Sequence, residues 1–436
     1  MRIFKNGWFL FFLSFLLSFA FFGQARAADL TLGQVMRLVE INSPTLQAVQ
    51  SRENEAREFS RAADSGFYPN LGLDAVDSTG FPGSASGFGT SGLDSFPGLV
   101  ASPYRQGAAA GAYAKWDLLD LSVWHQSAAA HYEYDASREK TKFQTELVDE
   151  QALNLYLTAV RQRGDRDAWQ SLADELTGIQ NVVNRFVRNG QYSPVAGYLL
   201  QDQLADASLK ASDFNRQYQA SLERLALLTG LEAKSISCPA PSAISETGLA
   251  DLTAPGVNPL VAGAELETKS SNETAAQYSA ENLPVLEVAG GAGYLSDTRL
   301  VSAQDYSLFV GVSLPIFEGF RIDAQEKAAR SETQARQAEV SADQLYLSDL
   351  NVRYLEEMEE AREDLSTLAG EQERAQKAVD LARQRYLTFL GPLSDLQQAL
   401  KDMVNVGVET SDAKTRLLSA VGEKYLLAGG TSEAIK

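Results

Sequence analysis

Ser307-Leu-Phe-Val-Gly-Val-Ser-Leu-Pro-Ile316 decides the fold, together with the long helix-forming run just beyond it. Leu308, Val310, Val312, Leu314 and Ile316 alternate with Ser307, Phe309, Gly311 and Ser313. A period of two sustained this long marks a strand. One apolar face and one small or polar face, over roughly 9 to 11 residues, is the pattern of a membrane-barrel strand. Immediately beyond, Phe320 to Phe389 contains no Pro and a single Gly, Gly370. The chain can therefore run helical for about 70 residues, on the order of 100 Å at ~1.5 Å per residue. That far exceeds the ~10 to 14 residues usual in globular domains.

The apolar positions of this helix keep a three-four spacing. Met358, Ala361, Leu365, Leu368, Ala375, Val379, Ala382, Tyr386 and Phe389 form one run, interrupted at Gln372. Ala324, Ala328, Ala335, Ala338, Ala342, Leu345 and Val352 form another in a different phase, and the shift falls near Leu355. A seven-residue repeat of this kind imposes coiled-coil packing. Gly391-Pro392 and Ser394 then end this helix and start a returning one, with the tip near residue 391.

Working backwards, the same order appears earlier. Asn42-Ser-Pro44 returns as Val257-Asn-Pro259, and Tyr68-Pro69-Asn-Leu-Gly-Leu73 as Leu283-Pro284-Val-Leu-Glu-Val288, both 215 residues on. Lys115-Trp-Asp-Leu-Leu-Asp120 aligns with Leu314-Pro-Ile-Phe-Glu-Gly319, and Arg185-Phe-Val187 with Arg385-Tyr-Leu387, at offsets of 199 and 200. The Gly/Ser/Pro-rich stretch Ser78 to Pro103 outruns its counterpart around Ser296 to Gln304, which accounts for the change in offset. Each half thus reads as a helix, two strands and a long helical hairpin. In the first half the helix continues through Leu46 to Ala63, and the strands run from Asn70 to Asp77 and from about Gln106 to Leu118. Leu172, Leu176, Ile179, Val183 and Phe186 give the hairpin its seam, Asn189-Gly190 ends its first helix, and Ser193-Pro194 starts its second.

The chain is thereby organised as a segment 1–27, a first repeat 28–231 with a β-hairpin about 69–118 and a tip near 190, and a linker 232–256. A second repeat 257–430, with a β-hairpin about 284–317, and a tail 431–436 complete it. Arg2 and Lys5, the apolar run Trp8 to Phe22, and Ala25-Arg-Ala27 form a secretory signal with an Ala-x-Ala cleavage site. Its removal takes three cations and no acid, moving the net charge from -19 to -22. That balance speaks against nucleic acid as a partner. No Cys stands directly after the cleavage site, and the lone Cys238 cannot form an internal disulfide. His125 and His131, six apart on a helix, face different ways and do not make a metal site together. Neither a phosphate-cradling Gly-rich loop with Lys nor a catalytic triad is legible, so the sequence reads as a non-enzyme without cofactor.

Four strands cannot close a barrel, and lipid does not tolerate open edges. Three chains would pool twelve strands, wide enough for a conduit, so the sequence points to a homotrimer. The fold class expected is an α+β membrane protein of two repeats, its strands shared in a twelve-strand barrel that a long periplasmic coiled-coil tunnel continues.

The residues resemble the TolC family of outer-membrane efflux and type I secretion channels over nearly the whole mature chain. The resemblance rests on Leu30-Thr-Leu-Gly-Gln-Val-Met-Arg-Leu38 with Asn42-Ser-Pro44, on Tyr68-Pro69, on Leu314-Pro-Ile-Phe-Glu-Gly319 and on the duplicated halves. It implies a trimer in the outer membrane with its helices in the periplasm, serving as exit duct for a periplasmic adaptor (membrane fusion) protein and an inner-membrane pump. It also implies an equatorial region formed by about 232–256 and the C-terminal tail. The family's tip pattern, an Arg with an Asp ten residues on, matches Arg385 and Asp395 and makes Asp395 the periplasmic gate candidate. Read from the helix alone, Asp395 equally suits the first turn of a helix starting at Ser394. The adaptor contact candidates at the tips are Arg185, Gly190, Ser193, Arg385, Gly391 and Ser394. Phe389 and Asn189 stand where a tip glycine is usual, and Gln398 and Ala196 stand where further acids are found. The competing reading is a structural periplasmic coiled-coil scaffold.

Overall fold

The computed structural model describes residues 28–78, 107–191, 193–232, 236–238, 258–297, 300–388 and 390–427. The signal segment, most of the 232–256 linker, the Gly-rich loop and the tail lie outside these residues. The order is β1 (Ala28–Asp29), α1 (Leu32–Asn42), α2 (Pro44–Asp64), a 3-10 turn (Ser65–Phe67), β2 (Asn70–Ser78), β3 (Gly107–Leu119), α3 (Leu121–Arg188), α4 (Pro194–Thr229) and β4 (Ile236–Ser237). Then come α5 (Pro259–Ala280), β5 (Val285–Asp297), β6 (Leu300–Ser313), α6 (Arg321–Leu387) and α7 (Leu393–Leu427). Two compact units result, one of Gln47–Phe143 with Pro259–Leu345, the other of Gln144–Asn258 with both ends of the chain.

The first unit holds a four-stranded antiparallel sheet in the order β2-β3-β5-β6 and the helices attached to it. Its register sets Leu71 opposite Ala114, Ala114 opposite Gly290, and Gly290 opposite Leu308. One face therefore carries Leu71, Leu73, Trp116, Val288, Leu308 and Val310, and Leu71, Leu73, Leu308 and Val310 are broadly exposed. The alternation read to Ile316 stops as a strand at Ser313, because Pro315 has no N–H to give the ladder. Gly319 and Phe320, both at positive φ, then turn the chain into α6.

The helices of this unit repeat the order of the strands. Ser60 on α2 meets His131 on α3. On the other side of α3, Ser270 of α5 donates to the Ala129 carbonyl, and Ser271 of α5 meets Thr333 of α6. Glu267 of α5 receives Lys140 from α3 and Arg336 from α6. The seam read at Ala324, Ala328, Ala335, Ala338, Ala342, Leu345 and Val352 is not the one used within the chain. Those residues are exposed, while Ile322, Ala329, Leu350 and Tyr354 are buried. Thr333 and Arg336 occupy contact positions because they bond to α5, so a count of apolar residues follows the wrong face.

The second unit is a helical assembly with two cores. Val35, Met36, Leu153, Tyr156, Leu225 and Leu417 centre one, where α1, α3, α4 and α7 meet. Gly422 packs closely there, and a Cβ in its place would stand 2.5 Å from Leu153 Cδ2 and oblige that side chain to shift. The other gathers Leu176 and Val183 of α3, Leu200 of α4, Val379 and Tyr386 of α6, and Leu396 of α7. The lower run on α6 does serve this purpose, with Ala361, Leu368, Val379 and Tyr386 buried. Beside the first core, β4 pairs in parallel with β1, and Arg163 donates to the carbonyl of buried Cys238.

Candidate functional site: a two-faced sheet and two helical tips

The face of the sheet opposite the apolar one carries Asn70, Tyr113, Lys115, Asp117 and Glu287. Lys115 Nζ lies 3.5 Å from Glu287 and 4.0 Å from Asp117, a charge cluster astride β3 and β5. Aromatic rings lie flat on this face over glycines. A Cβ on Gly72 would stand 2.4 Å from the Tyr113 ring, and one on Gly311 equally close to Phe309. Below the sheet, Phe67 and Trp124 stack edge to face at 5.6 Å, and Trp116 donates its indole N–H to the Phe67 carbonyl. Aromatics placed where an apolar band ends are the girdle of a membrane barrel. The sheet thus presents one apolar and one polar face. Among the described residues no helix is long and apolar enough to cross a membrane.

At the first tip, the Gly190 N–H bonds to Val187 O and Gln191 N–H to Phe186 O, with Gly190 in the left-handed region. Ser193 then caps α4, accepting from the Val195 N–H. At the second, Leu390 and Gly391 both donate to the Arg385 carbonyl at 2.8 and 3.1 Å. Gly391 is needed for closeness, since its Cβ would meet that of Arg385 at 3.0 Å. Arg385, Gly391 and Asp395 line one shallow pocket of about 230 Å³ with Ala378, Leu381 and Pro392. Helix α7 starts at Leu393, one residue before the start read from the sequence, so Ser394 and Asp395 both lie in its first turn. Asp395 is exposed, and no ion pair to it is found among the described residues. Arg185, Gly190, Ser193, Arg385 and Ser394 are exposed as well, and Gly391 is half-buried. One turn above the second tip Arg383 pairs with Glu175, tying α6 to α3.

Three features were missed in the sequence. The charge cluster is one, although Lys115-x-Asp117 places both charges on one strand face. The histidines are another: His125 reaches Glu273 on α5 at 2.7 Å, and His131 reaches Asp64 on α2 at 3.2 Å. Ser60, His131 and Asp64 thereby line up as serine, histidine and acid. Ser60 is buried in mid-helix, where the backbone N–H groups are spent along the helix, so no pair of donors faces it to form an oxyanion site. The group is an interhelical clamp in which the Ser127 hydroxyl, ahead of His131, holds Asp64 below the usual carboxylate range. The third is a buried carboxyl, Asp149, whose burial, ahead of the nearby Glu40 and Glu146, pushes it up to about 8.

Residues 254–430 match the family model described as outer membrane efflux protein. Solved structures agree over more than nine-tenths of the chain. The outer membrane protein VceC of Vibrio cholerae has 16% identity and a TM-score of 0.77 over 92% of this chain and 96% of its own. The CmeC outer membrane channel of Campylobacter jejuni has 15% identity and a TM-score of 0.74, covering 95% and 91%. The open state of the MtrE outer membrane channel of Neisseria gonorrhoeae has 17% and 0.69, covering 94% and 93%. No curated protein matches by sequence. The chain thus shares the fold of these outer membrane channels, a four-stranded sheet and long helical hairpins. The family match covers the second repeat, and the likeness to the solved structures extends the same fold to the first.

Proposed function

We propose that three copies of the chain form the exit duct of a tripartite efflux or type I secretion system, joined at its helical tips to a periplasmic adaptor and, through it, to an inner-membrane pump. The observation that carries this reading is the sheet, which has one exposed apolar face, one polar face and two open edges, β2 and β6. Edges of this kind are not tolerated in lipid and call for further copies. A soluble scaffold would leave Leu71, Leu73, Leu308 and Val310 in water, which disfavours the competing reading. The protein supplies path and selectivity, and the pump supplies the energy. The decisive measurement is on protein extracted from outer membranes in detergent: a mass of three chains and discrete conductance steps in planar bilayers support the duct, whereas release as monomers by osmotic shock overturns it.

In this reading Arg185, Gly190, Ser193, Arg385, Gly391 and Ser394 present the surface that the adaptor grips, and Asp395 lines the periplasmic aperture. Three copies of Asp395 around a threefold axis would focus negative potential and draw in cations. Asp395→Ala is therefore expected to raise single-channel conductance and to weaken block by multivalent cations severalfold. Unchanged conductance and block would remove Asp395 from the gate.

A further inference from the structure

A groove of about 530 Å³ runs between α3 and α4 in the helical unit, a size at which small molecules are held. Glu150, Asn154 and Leu155 form its α3 wall, and Arg224, Leu227 and Leu228 its α4 wall. Leu227 is 85% exposed, so apolar surface lies open to water there. The charges on the two walls are opposite in sign and are not spent within the chain. Among the described residues neither Glu150 nor Arg224 has an ion-pair partner. Beside Glu150 stands Glu423 of α7, which accepts from Asn154 at 2.8 Å and from Ser419 at 3.0 Å. Burial, ahead of the nearby Glu423, raises Glu150 above the ordinary carboxylate range. Both causes penalise its negative charge, and an ammonium group next to it would offset both.

Helical periodicity says which way the groove faces. On α3, Asp149 is bonded to Glu40 of α1, and Tyr156 donates to the Leu30 carbonyl just ahead of α1. At about 100° per residue, Gln151 and Asn154 stand roughly 140 to 160° around α3 from both of those residues. The groove therefore opens on the side of the helical layer turned away from α1. A bore has to stay empty, so in a duct α1 and the strands beside it lie outside and the groove faces inward. We infer that this groove is a resting place for cargo on the inner wall of the duct, fitted to a zwitterionic amphiphile. Its ammonium end meets Glu150, its carboxylate end meets Arg224, and its hydrocarbon body lies on Leu155, Leu227 and Leu228. A compound with a cation alone would leave Arg224 unmatched, and one with an anion alone would face Glu150 and Glu423. Conduction requires binding weak enough to be left again, and an open groove with a water-exposed arginine supplies that.

The inference rests on the duct reading above, and its test separates the two. Gln151 is exposed at the groove, so Gln151→Cys reports occupancy through the rate at which a water-soluble methanethiosulfonate modifies it. The full chain is reconstituted in lipid vesicles, with wild type, whose Cys238 is buried, as background. The probe is 8-aminooctanoate, and octylammonium and octanoate are its one-ended controls of equal length. Modification is expected to slow severalfold with 8-aminooctanoate at a concentration where octanoate leaves it unchanged. That protection is expected to disappear when Glu150→Gln or Arg224→Gln is added. No slowing, equal slowing by all three compounds, or slowing that survives both substitutions overturns the site. So does a Gln151→Cys that the reagent never reaches in the assembled protein, which would mean that another copy covers the groove. Planar-bilayer conductance of the same preparation keeps the readings apart: conductance without protection removes the site and leaves the duct, whereas wild type that does not conduct removes the duct itself.

Discussion

Leu308→Arg is expected to abolish accumulation of the protein in outer membranes if it forms the proposed duct, while Ser313→Arg, on the other face of the same strand, leaves assembled protein. Leu308 sits on β6 with its side chain among the most exposed of the strand, in line with Val310 and opposite Gly290. Exposure to water would make arginine harmless there. Exposure to hydrocarbon makes it costly, roughly 2 to 4 kcal/mol at the bilayer midplane and ~0 to 1 near the interface. In an assembly of three copies the penalty is taken three times, against a total stability that for a folded domain is only about 5 to 15 kcal/mol. Ser313 shares its face with Phe309 and Gly311 and lies at the strand's end, so an arginine there reaches water. Quantitative immunoblots of detergent-extracted outer membranes read the result. Equal assembly of the two variants would show that the apolar face meets protein or water and not lipid.

The fold was legible because its main signals are local and repeat. The alternation at Ser307–Ser313 and the uninterrupted run after Phe320 each belong to one element, and the duplication states them twice. What was not legible depends on pairing between elements far apart in sequence. The helix α6 is contacted through Thr333 and Arg336, and only the position of Glu267 and Ser271 on α5 gives those polar residues a reason to face inward. The clamp of Ser60, His131, Asp64 and Ser127 likewise joins residues more than sixty apart. At the tips the sequence marks turns clearly, since Gly190 needs a positive φ and Gly391 a close approach. A side chain at a turn does not reveal its partner, however, and the shared pocket of Arg385 and Asp395 emerges only once the hairpin is folded.

The larger effect in the helical unit concerns Asp149, which sits on α3 with 2% of its surface exposed. It is bonded to Glu40 of α1, and its other oxygen, Oδ1, has no partner among the described residues. Burial comes first among the causes that raise it, followed by the charges of Glu40 and Glu146, to about 8 from an ordinary 3.8. A carboxyl whose folded value lies above its unfolded one stabilises the fold in its protonated form. That contribution is complete below the unfolded value near 3.8 and is lost as pH rises through about 8. At ~1.4 kcal/mol for each unit of displacement, the loss across this window is on the order of a few kcal/mol per chain. Asp149→Asn keeps the shape, offers Glu40 an amide donor and carries no charge to bury. Wild type is therefore expected to lose thermal stability between pH 6 and pH 9, whereas Asp149→Asn stays level and melts higher than wild type at pH 9. Melting followed by circular dichroism in detergent across that range decides it. Parallel curves for the two proteins would mean that Asp149 is ionised and solvated at neutral pH, and that the contact between α1 and α3 is held by the apolar residues around it.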